Sequence, residues 1–478
     1  MTAKLCAAVM LILLLTPGIV AGAEEAAVYT VTINYDIQNT SSNTARDFEA
    51  TIYLYDNISG WADQRVLAEN IFVDGVPVSP QIFKDEDNRW TKLQLGELGP
   101  HQSKRITVTQ TLKIKTVDFK VDPSLVGTTI PPELAIYTTP VQGLWESDDS
   151  RISALAAELV ENAPNVYYEA ENIFRFVIKY LQYKRLDAEH GALYAYLTKV
   201  GDCTEYSNLF VALARAAGIP AKVVAGNGYL PIYNVGGSAD FSATGHAWAI
   251  FYLPDYGWVP VDGVWPTGKG SFARADYSHI AGATTDGSNA ISGGKISWPG
   301  PGSIKTNWSY LVNRPVYSQE IVASASGTIT PQVMLDVKLT SSPQISTEGT
   351  LVFTATVQNL GSVPAKNLLI DLNLDSRYFE VKAGEVQKGE LPVGGKWVVP
   401  ITVLVKDAAY GENFELEPTV TFEASYGGVT GEYIARGALT LSVGQKPAII
   451  GLPLDLTMIL IIAVLVVSII SVAIIARR

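Results

Sequence analysis

The sequence has few of the residues that form disulfides or bind structural zinc. Its 478 residues include two cysteines and four histidines. Cys6 lies in the apolar N-terminal run MTAKLCAAVMLILLLTPGIVAGA, whose small-residue end predicts a secretory signal peptide over residues 1–23. Cleavage would leave Cys203 as the single cysteine, which excludes an internal disulfide. One cysteine and scattered histidines do not form a zinc ligand set, and we expect no metal.

Charge is also sparse, and basic charge especially so. Charged residues make up 17% of the chain, and the formal net charge is −12 at pH 7. A nucleic-acid partner requires a basic surface, so this balance excludes one. No EF-hand loop is present to bind calcium. We therefore expect neither a nucleic-acid partner nor a cofactor.

An uncharged run closes the chain. LTMILIIAVLVVSIISVAIIA, Leu456 to Ala476, is 21 residues long and is followed by Arg477 and Arg478. This length suffices to cross a bilayer, and the cationic end favours a cytoplasmic C-terminus. Residues 446–478 are thus predicted to anchor a single-pass, outward-facing cell-membrane protein. A buried core helix and a processed sorting signal are the alternatives.

Two distant stretches of the chain repeat one another. QNTSSNTARDFEATIYL from Gln38 corresponds to QNLGSVPAKNLLIDLNL from Gln358, and a Gly-Glu-Leu turn with an alternating strand follows from Gly96 and from Gly389. Alternating strands between polar turns are typical of antiparallel sandwiches. We predict two all-β sandwiches, residues 24–124 and 329–445. The second resembles the immunoglobulin-like adhesion and spacer modules of archaeal and bacterial surface proteins, which implies immunoglobulin-like flanks.

The middle of the chain, residues 125–328, has helical periodicity instead. Apolar residues recur three and four apart in Ser150–Asn162 and in Tyr167–Tyr183. A third helix follows in VGDCTEYSNLFVALARAAGIP, which ends at a glycine and a proline. From Tyr229 onward, strands and loops take over. The middle domain is therefore predicted to be α+β.

The start of the third helix is the first candidate for chemistry. Asp202 can cap the helix while Glu205 completes a capping box, which makes Cys203 the first helical residue. At that position the unpaired N–H groups and the helix dipole favour a thiolate and can bind an oxyanion. A small buried hydrophobic residue is the alternative role for Cys203.

The partners of this cysteine lie in GHAWAIFYLPDYGWVPVDGVW. The PDYG turn joins two predicted strands, and it can bring His246 and Asp262 opposite each other on one face of a hairpin. Taken singly, these residues would be a core histidine and a solvated carboxylate. Together, Cys203, His246 and Asp262 form a nucleophile, a base and an orienting acid.

GDCTEYSNLFVALARAAGIPAKVVAG followed by GHAWAIFYLPDYGWVPVD resembles the transglutaminase-like core, a papain-like thiol fold, over about residues 150–265. The resemblance implies that Cys203 is the nucleophile, His246 the general base and acid, and Asp262 the orienting group. His190 and His279 match no motif position, and we expect them to be structural or on the surface.

Two features depart from that family. Asp262 is followed by Gly263-Val264-Trp265, so the exit of its strand is expected to differ. No tryptophan lies between residues 162 and 200, where the animal cross-linking enzymes have an oxyanion-stabilising one. Three tyrosines are candidates for its place: Tyr168, Tyr183 and Tyr196.

The fold class expected is a papain-like, transglutaminase-like core between two sandwiches, with one C-terminal transmembrane helix. The expected function is a cell-surface thiol enzyme that acts on amide bonds of peptides or proteins through a thioester. Water as acceptor gives a peptidase or deamidase, which we favour slightly, and a lysine amine gives protein cross-linking. The alternative of another class is a non-catalytic adhesion or scaffold protein.

Overall fold

The computed structural model describes residues 24–85, 88–229, 239–240, 245–265, 270–285, 294–298, 304–308, 311–316 and 319–445. The predicted signal peptide and the predicted membrane-spanning run from Leu456 to Ala476 lie outside these residues. Within the described part of the chain, no helix is long and apolar enough to span a bilayer.

The N-terminal strands form two sheets around one apolar core. The first sheet contains β1 (Glu24–Asn39), β3 (Asp63–Val73), β4 (Val76–Val78), β7 (Ser103–Lys115), β12 (Ala239–Asp240), β20 (Leu311–Val316) and β21 (Gln319–Val333). The second contains β2 (Ala45–Leu54), β5 (Ile82–Lys84), β6 (Arg89–Leu98), β18 (Gly294–Trp298) and β19 (Ile304–Trp308). Alternate residues of β1 point into the core, among them the buried Tyr29 and Tyr35.

Strands from residues 294–333 complete this N-terminal unit. β21 pairs antiparallel with β1 from Asn39 to Val28, and β18 pairs with β2. The strand pairing therefore does not follow the predicted division at residue 328. An alternating sequence such as ASASGTITPQV indicates a strand and its buried face, but it carries no information about which strand will be the partner.

The C-terminal strands form a second apolar core. Its strands are β22 (Leu335–Ser341), β23 (Thr350–Asn359), β24 (Ala365–Asp371), β25 (Phe379–Ala383), β26 (Gln387–Leu391), β27 (Lys396–Val405), β28 (Asn413–Leu416), β29 (Thr419–Tyr426), β30 (Val429–Arg436) and β31 (Leu439–Ser442). β30 pairs in parallel with the first residues of β1, which joins the two units through one sheet. That the flanks are immunoglobulin-like stays a prediction.

The repeated Gln-Asn pair has the same structural role in both units. Asn39 and Asn359 are buried at the ends of β1 and β23. Each donates from Nδ2 to the carbonyl of the Gly-Glu-Leu leucine, Leu98 at 2.9 Å and Leu391 at 3.1 Å. Each also accepts at Oδ1 from the backbone N–H two residues later. The repeat is thus a turn held by one buried asparagine.

The middle of the chain combines helices with a five-stranded sheet. The helices are α1 (Ser150–Val160), α2 (Val166–Tyr180), α3 (Ala192–Thr198) and α4 (Cys203–Ala216), with short 3₁₀ turns at Pro123–Leu125, Pro132–Thr138 and, near the C-terminus, Asp407–Ala409. The sheet order is β15 (Ser271–Phe272), β14 (Gly257–Asp262), β13 (Gly245–Leu253), β11 (Ala221–Gly228) and β17 (His279–Thr285). Two small ladders pair β9 (Gln182–Tyr183) with β10 (Val200–Gly201) and β8 (Val117–Asp118) with β16 (Arg274–Ala275). All three predicted helices are confirmed.

Helix α4 is the centre of this domain. It packs against α1, α2, α3 and β13, and every residue from Glu205 to Arg215 is buried. Burial therefore extends around all sides of the helix and includes polar residues. Arg215 is compatible with burial because its guanidinium donates to two backbone carbonyls and lies over the Trp145 ring. A helix enclosed on all sides holds its first residue in a fixed position.

Candidate active site

The predicted capping box sets the position of Cys203. The Asp202 carboxylate accepts from Thr204 N at 3.1 Å, and Glu205 Oε2 accepts from Asp202 N at 2.9 Å. Cys203 is the first residue of α4 and is a partly buried free thiol. The sulfur therefore lies at the helix N-terminus, where unpaired N–H groups and the dipole stabilise negative charge.

Two further residues tie this helix start to its neighbours. A Cβ on Gly201 would come within 2.4 Å of Glu205 Cβ, so only glycine allows β10 to approach α4 this closely. Ser207 Oγ donates to the carbonyl of Cys203 at 2.7 Å and lies 3.2 Å from that of Ala247. Because Ala247 follows His246, Ser207 links the cysteine to the strand that carries the histidine.

The predicted hairpin forms, but its register differs from the expected one. β13 and β14 pair Leu253 with Gly257 and Ala249 with Val261, around a three-residue loop. Asp255 in this loop and Gly257 both have positive φ, 67° and 83°. His246 and Asp262 are consequently diagonal neighbours instead of directly opposed. A shift of two residues keeps both side chains on the same face, so they still meet.

The three predicted residues come together. His246 Nε2 donates to Asp262 Oδ2 at 2.6 Å, and the Cys203 side chain is close enough to help raise the pKa of the same ring. His246 is 7% exposed and Asp262 2% exposed. Since Nε2 faces the carboxylate, Nδ1 is the ring nitrogen left for the thiol. The arrangement places a base beside the sulfur and a carboxylate behind the base.

The unusual exit from β14 surrounds the Asp262 carboxylate. Its Oδ1 accepts from the backbone N–H groups of Val264 at 2.7 Å and Trp265 at 3.0 Å. A Cβ on Gly263 would lie 2.9 Å from the Tyr206 ring, so a glycine at this position allows the backbone to pass close to α4. The backbone N–H groups after Asp262 therefore stabilise the negative charge of the carboxylate and fix its orientation.

His279 is the residue that the sequence did not reveal. It is 4% exposed, and its Nε2 lies 3.0 Å from Asp262 Oδ2, the oxygen that also accepts from His246. Its Nδ1 lies 3.0 Å from Asp276 Oδ1. Of the two expected roles, structural or surface, a surface position is wrong, because β17 joins the sheet beside β11 and buries His279. No motif surrounds His279 in the sequence, and only the strand order brings it to the site.

Two glycines of β11 make room for this cluster. Gly226 is paired with His246 on one side and with Ala281 on the other, and Gly228 is paired with His279. A Cβ on Gly226 would lie 2.2 Å from the Ile280 carbonyl oxygen, and one on Gly228 would lie 2.8 Å from the Trp265 ring. Because β11 has no side chains at these two positions, the imidazoles on the neighbouring strands β13 and β17 have room on this face of the sheet.

The charges of the central pair stabilise each other. Burial acts to lower the pKa of His246, but the Asp262 carboxylate and the Cys203 side chain outweigh it and raise that pKa to about 10. Burial acts to raise the pKa of Asp262, and the two histidines hold it well below its usual range. The pair is thus an imidazolium and a carboxylate at neutral pH.

The charges of His279 and Asp276 also stabilise each other. Burial acts to lower the pKa of His279, and the hydrogen bonds to Asp262 and Asp276 raise it above its usual value. The pKa of Asp276 is lowered to about 2 because hydrogen bonds from His279 and Ser278 outweigh its burial. Asp262, His246 and His279 place ligand-type atoms within 4.8 Å of one another, and hydrogen bonds already join these atoms.

Two tryptophan rings contact His246. The rings of Trp265 and Trp248 lie 4.9 and 5.6 Å from the imidazole, and both tryptophans are buried. Tyr252 and Trp258 pack on each other instead, and Lys222 lies over the Trp258 ring. The tryptophans enclose the histidine, while the other two form a separate packing cluster.

The structure also distinguishes the three tyrosines that are candidates for stabilising the oxyanion. Tyr183 lies in β9 and pairs with Gly201, two residues before Cys203, and its ring is 6.4 Å from that of Tyr206. Tyr196 instead stacks on Tyr180, and Tyr168 packs on Tyr167. His190 stacks on Tyr194 at 4.0 Å. Tyr183 is therefore the candidate that the strand pairing brings beside the cysteine.

Comparisons with known proteins identify this part of the chain. Residues 153–263 match the family model of the transglutaminase-like superfamily. This segment is a transglutaminase-like domain. An uncharacterized protein of Haemophilus influenzae is 30% identical over 155 residues, 28% of this chain and 42% of that protein. YebA of Bacillus subtilis, also uncharacterized, is 29% identical over 130 residues, 24% of this chain and 18% of that protein.

The chain thus spans less than half the length of these two curated relatives. Among solved structures, a candidate cysteine protease from Cytophaga hutchinsonii aligns with a TM-score of 0.39 and 15% identity, over 64% of this chain and 98% of that one. The matched family segment contains Cys203, His246 and Asp262. The identification of the transglutaminase-like domain rests on the family model.

Proposed function

We propose that the chain is a thiol enzyme that breaks amide bonds of peptides or proteins at the cell surface. Cys203 is its nucleophile, His246 its general acid and base, and Asp262 its orienting group. The single observation that carries this proposal is the buried 2.6 Å hydrogen bond between His246 and Asp262 beside the free thiol of Cys203, at the N-terminus of a buried helix. A nucleophile, a base and an orienting carboxylate in contact are the parts that acyl transfer requires.

The first half of the reaction forms a thioester. The Cys203 thiolate attacks the amide carbonyl carbon, and the N–H groups at the start of α4 stabilise the oxyanion that develops. The His246 imidazolium then gives its Nδ1 proton to the leaving nitrogen. The carbon–nitrogen bond breaks, the amine departs, and the acyl group stays on sulfur. Asp262 holds Nε2–H throughout, which keeps Nδ1 directed at the sulfur.

The second half releases the acyl group. Neutral His246 takes a proton from the acceptor, which attacks the thioester carbon, and the carbon–sulfur bond breaks to restore the thiolate. With water as acceptor the product is a carboxylic acid, as in a peptidase or deamidase. With a lysine amine it is an isopeptide bond. We favour water, as the resemblance of the sequence to the family suggests for microbial surface members.

The cellular setting is part of the proposal. The leader over residues 1–23 and the apolar run from Leu456 to Ala476 support export and a single membrane anchor. The transglutaminase-like domain would then face protein or peptide substrates outside the cell. A non-catalytic scaffold is the opposing reading, and it requires no reactive thiol.

Thiol alkylation separates the enzyme from the scaffold. The full-length protein is treated with iodoacetamide at pH 6, and modification of Cys203 is followed by peptide mass spectrometry, which distinguishes it from Cys6. We expect fast modification that the His246→Gln variant loses. The matched control is His101→Asn, because His101 is an exposed histidine with positive φ, which asparagine tolerates. Modification as slow as that of an ordinary thiol would refute the proposal.

A second experiment identifies the acceptor. Glutamine-containing peptides are incubated with the protein, with and without an amine donor, and the products are weighed. Deamidation adds about 1 Da, peptide cleavage gives fragments, and cross-linking adds the amine with loss of ammonia. Amine addition in preference to the other products would replace hydrolysis by cross-linking, while the nucleophile and base would be unchanged.

A further inference from the structure

We propose that His279 is a positioning residue of the catalytic group, a buried imidazolium that holds the Asp262 carboxylate and sets the charge felt by His246. The inference rests on the proposed function of the same site. It assigns a role to a histidine that matches no position of the family motif. With it, the series of side chains becomes Cys203, His246, Asp262, His279 and Asp276.

The protonation state of His279 follows from its two partners. Nε2 lies 3.0 Å from Asp262 Oδ2 and Nδ1 lies 3.0 Å from Asp276 Oδ1. An ionised carboxylate only accepts hydrogen bonds, so each ring nitrogen must carry a hydrogen. A ring with two N–H groups is the cationic form. Burial of this cation is compensated because it lies between two carboxylates.

The surroundings of His279 contain few other charges. The His246 ring on β13 is 5.7 Å away, and the Trp248 and Trp265 rings pack against His279 without charge. Beyond Asp276 lie the cation Arg274 and its partner Glu25 on β1, which form an ion pair of 2.7 Å. Tyr29 and Tyr277 also face Asp276, and burial raises the pKa of both, which keeps them neutral.

Three charges therefore lie behind His246: a cation between two anions. One oxygen of Asp262 accepts from both imidazoles, so His279 limits the movement of that carboxylate as well as its charge. Without the cation, two anions would lie behind His246 without compensation. The His246 imidazolium would become more stable, and the thiolate at Cys203 would become less favourable.

The test is the pH profile of Cys203 alkylation in the His279→Gln variant, measured on the full-length protein from pH 4 to pH 10. Glutamine can donate to Asp262 but carries no charge. A unit charge at about 6 Å changes a neighbouring titration by about one to two pH units at an effective dielectric constant near 20. We expect the acid limb of the profile, which lies within this range, to move to higher pH by up to that amount. His101→Asn is the control and should leave the profile unchanged.

The outcomes separate this inference from the proposed function. A wild-type profile with a reactive limb at low pH, together with an unshifted His279→Gln profile, would overturn the inference and leave the enzyme intact. A loss of amplitude without a shift of either limb would indicate a merely structural histidine and would also overturn it. Ordinary thiol reactivity in the wild type would instead contradict the proposed function itself.

The protonation state of His279 can also be measured directly in the wild-type protein. In full-length protein with ¹⁵N-labelled histidine, both imidazole nitrogens of His279 should have the chemical shift of protonated nitrogen at pH 8. Signals are assigned by comparison with His101→Asn, His190→Asn and His246→Gln, which leaves those of His279. One protonated and one unprotonated nitrogen in His279 would show a neutral ring and would refute the proposal.

Discussion

Replacing Asp262 by asparagine changes one atom of the candidate site and inverts a hydrogen bond. The carboxylate accepts from His246 at 2.6 Å and from His279 at 3.0 Å through one oxygen, while the other oxygen accepts from two backbone N–H groups. Asparagine can keep the backbone bonds with its carbonyl oxygen. Its amide nitrogen then faces two imidazole N–H groups. His246 must turn its Nε2 lone pair toward the amide and carry its proton on Nδ1.

The size of the effect follows from the charge on His246. Its pKa of about 10, against 6.5 ordinarily, corresponds to about 5 kcal/mol in favour of the imidazolium. Because the folded-state value is raised, this stabilisation is complete below about pH 6.5 and is lost as the pH rises through about 10. Without the carboxylate, burial acts to lower the pKa of His246, and we expect the ring to lose most of its positive charge at pH 6. The Asp262→Asn variant should also unfold at a lower temperature.

A neutral His246 removes the support for the thiolate. An ordinary thiol is only about 0.3% ionised at pH 6, so alkylation of Cys203 should slow by up to about 300-fold. The weaker intrinsic nucleophilicity of a stabilised thiolate reduces this difference to about 10-fold at the least. Amide turnover should fall by about 10³- to 10⁴-fold, because the proton is on the wrong nitrogen.

The assay is alkylation of full-length protein at pH 6 and pH 9, with mass spectrometric readout at Cys203. Asp255→Asn is the matched control, since Asp255 is an exposed carboxylate in the loop of the same hairpin. A melting curve for each variant shows that the comparison is between folded proteins. If Asp262→Asn is alkylated at pH 6 as fast as the wild type, the reasoning about the carboxylate is wrong.

Three further changes test separate parts of the structure. Gly226→Ala should destabilise the fold by about 2–3 kcal/mol in chemical unfolding, because its Cβ would lie 2.2 Å from the Ile280 carbonyl oxygen. Asn359→Ala should cost about 2–4 kcal/mol by the same measurement, because it leaves one buried and one partly buried carbonyl without their donor. Tyr183→Phe should lower turnover by about 100-fold if its hydroxyl stabilises the oxyanion, while Cys203 alkylation stays at the wild-type rate.

Each of these variants has a control of the same kind. The controls are Gly389→Ala, which has open space around it, Asn413→Ala, which is exposed, and Tyr196→Phe, which stacks away from the cysteine. We expect each to change stability by less than about 1 kcal/mol and to leave turnover unchanged. Equal effects in a variant and its control would contradict the contact invoked for that variant.

The helix start and the hairpin could be predicted because their determinants are local. A capping aspartate, a glutamate three residues later and an apolar run fix where α4 begins, and both capping residues lie within two residues of Cys203. The register of the β13–β14 hairpin could not be predicted from the sequence. PDYG indicates a turn, but whether two, three or four residues form its loop depends on backbone angles that the letters do not fix.

His279 and the strands of residues 294–333 could not be predicted for a common reason. Both depend on which strands become neighbours, and alternation in a sequence specifies a buried face without naming a partner. The burial of the Arg215 charge could not be predicted either, because it depends on the distant Thr139 carbonyl and Trp145 ring as well as on the nearby Ala221 carbonyl. Local patterns thus located the nucleophile Cys203 and its base His246, whereas the position of His279 depends on the strand order of the sheet.

The sheet order explains why a second imidazole can share the carboxylate at all. β13 carries His246, β17 carries His279, and β11 separates them. On an ordinary strand, side chains of β11 would fill the space between the two rings, since neighbouring strands lie only about 4.8 Å apart. Gly226 and Gly228 remove those side chains, and Asp262 on β14 reaches the space that is left. Glycines in a central strand usually weaken a sheet, so their presence here indicates that the contact between the imidazoles and the carboxylate outweighs that cost.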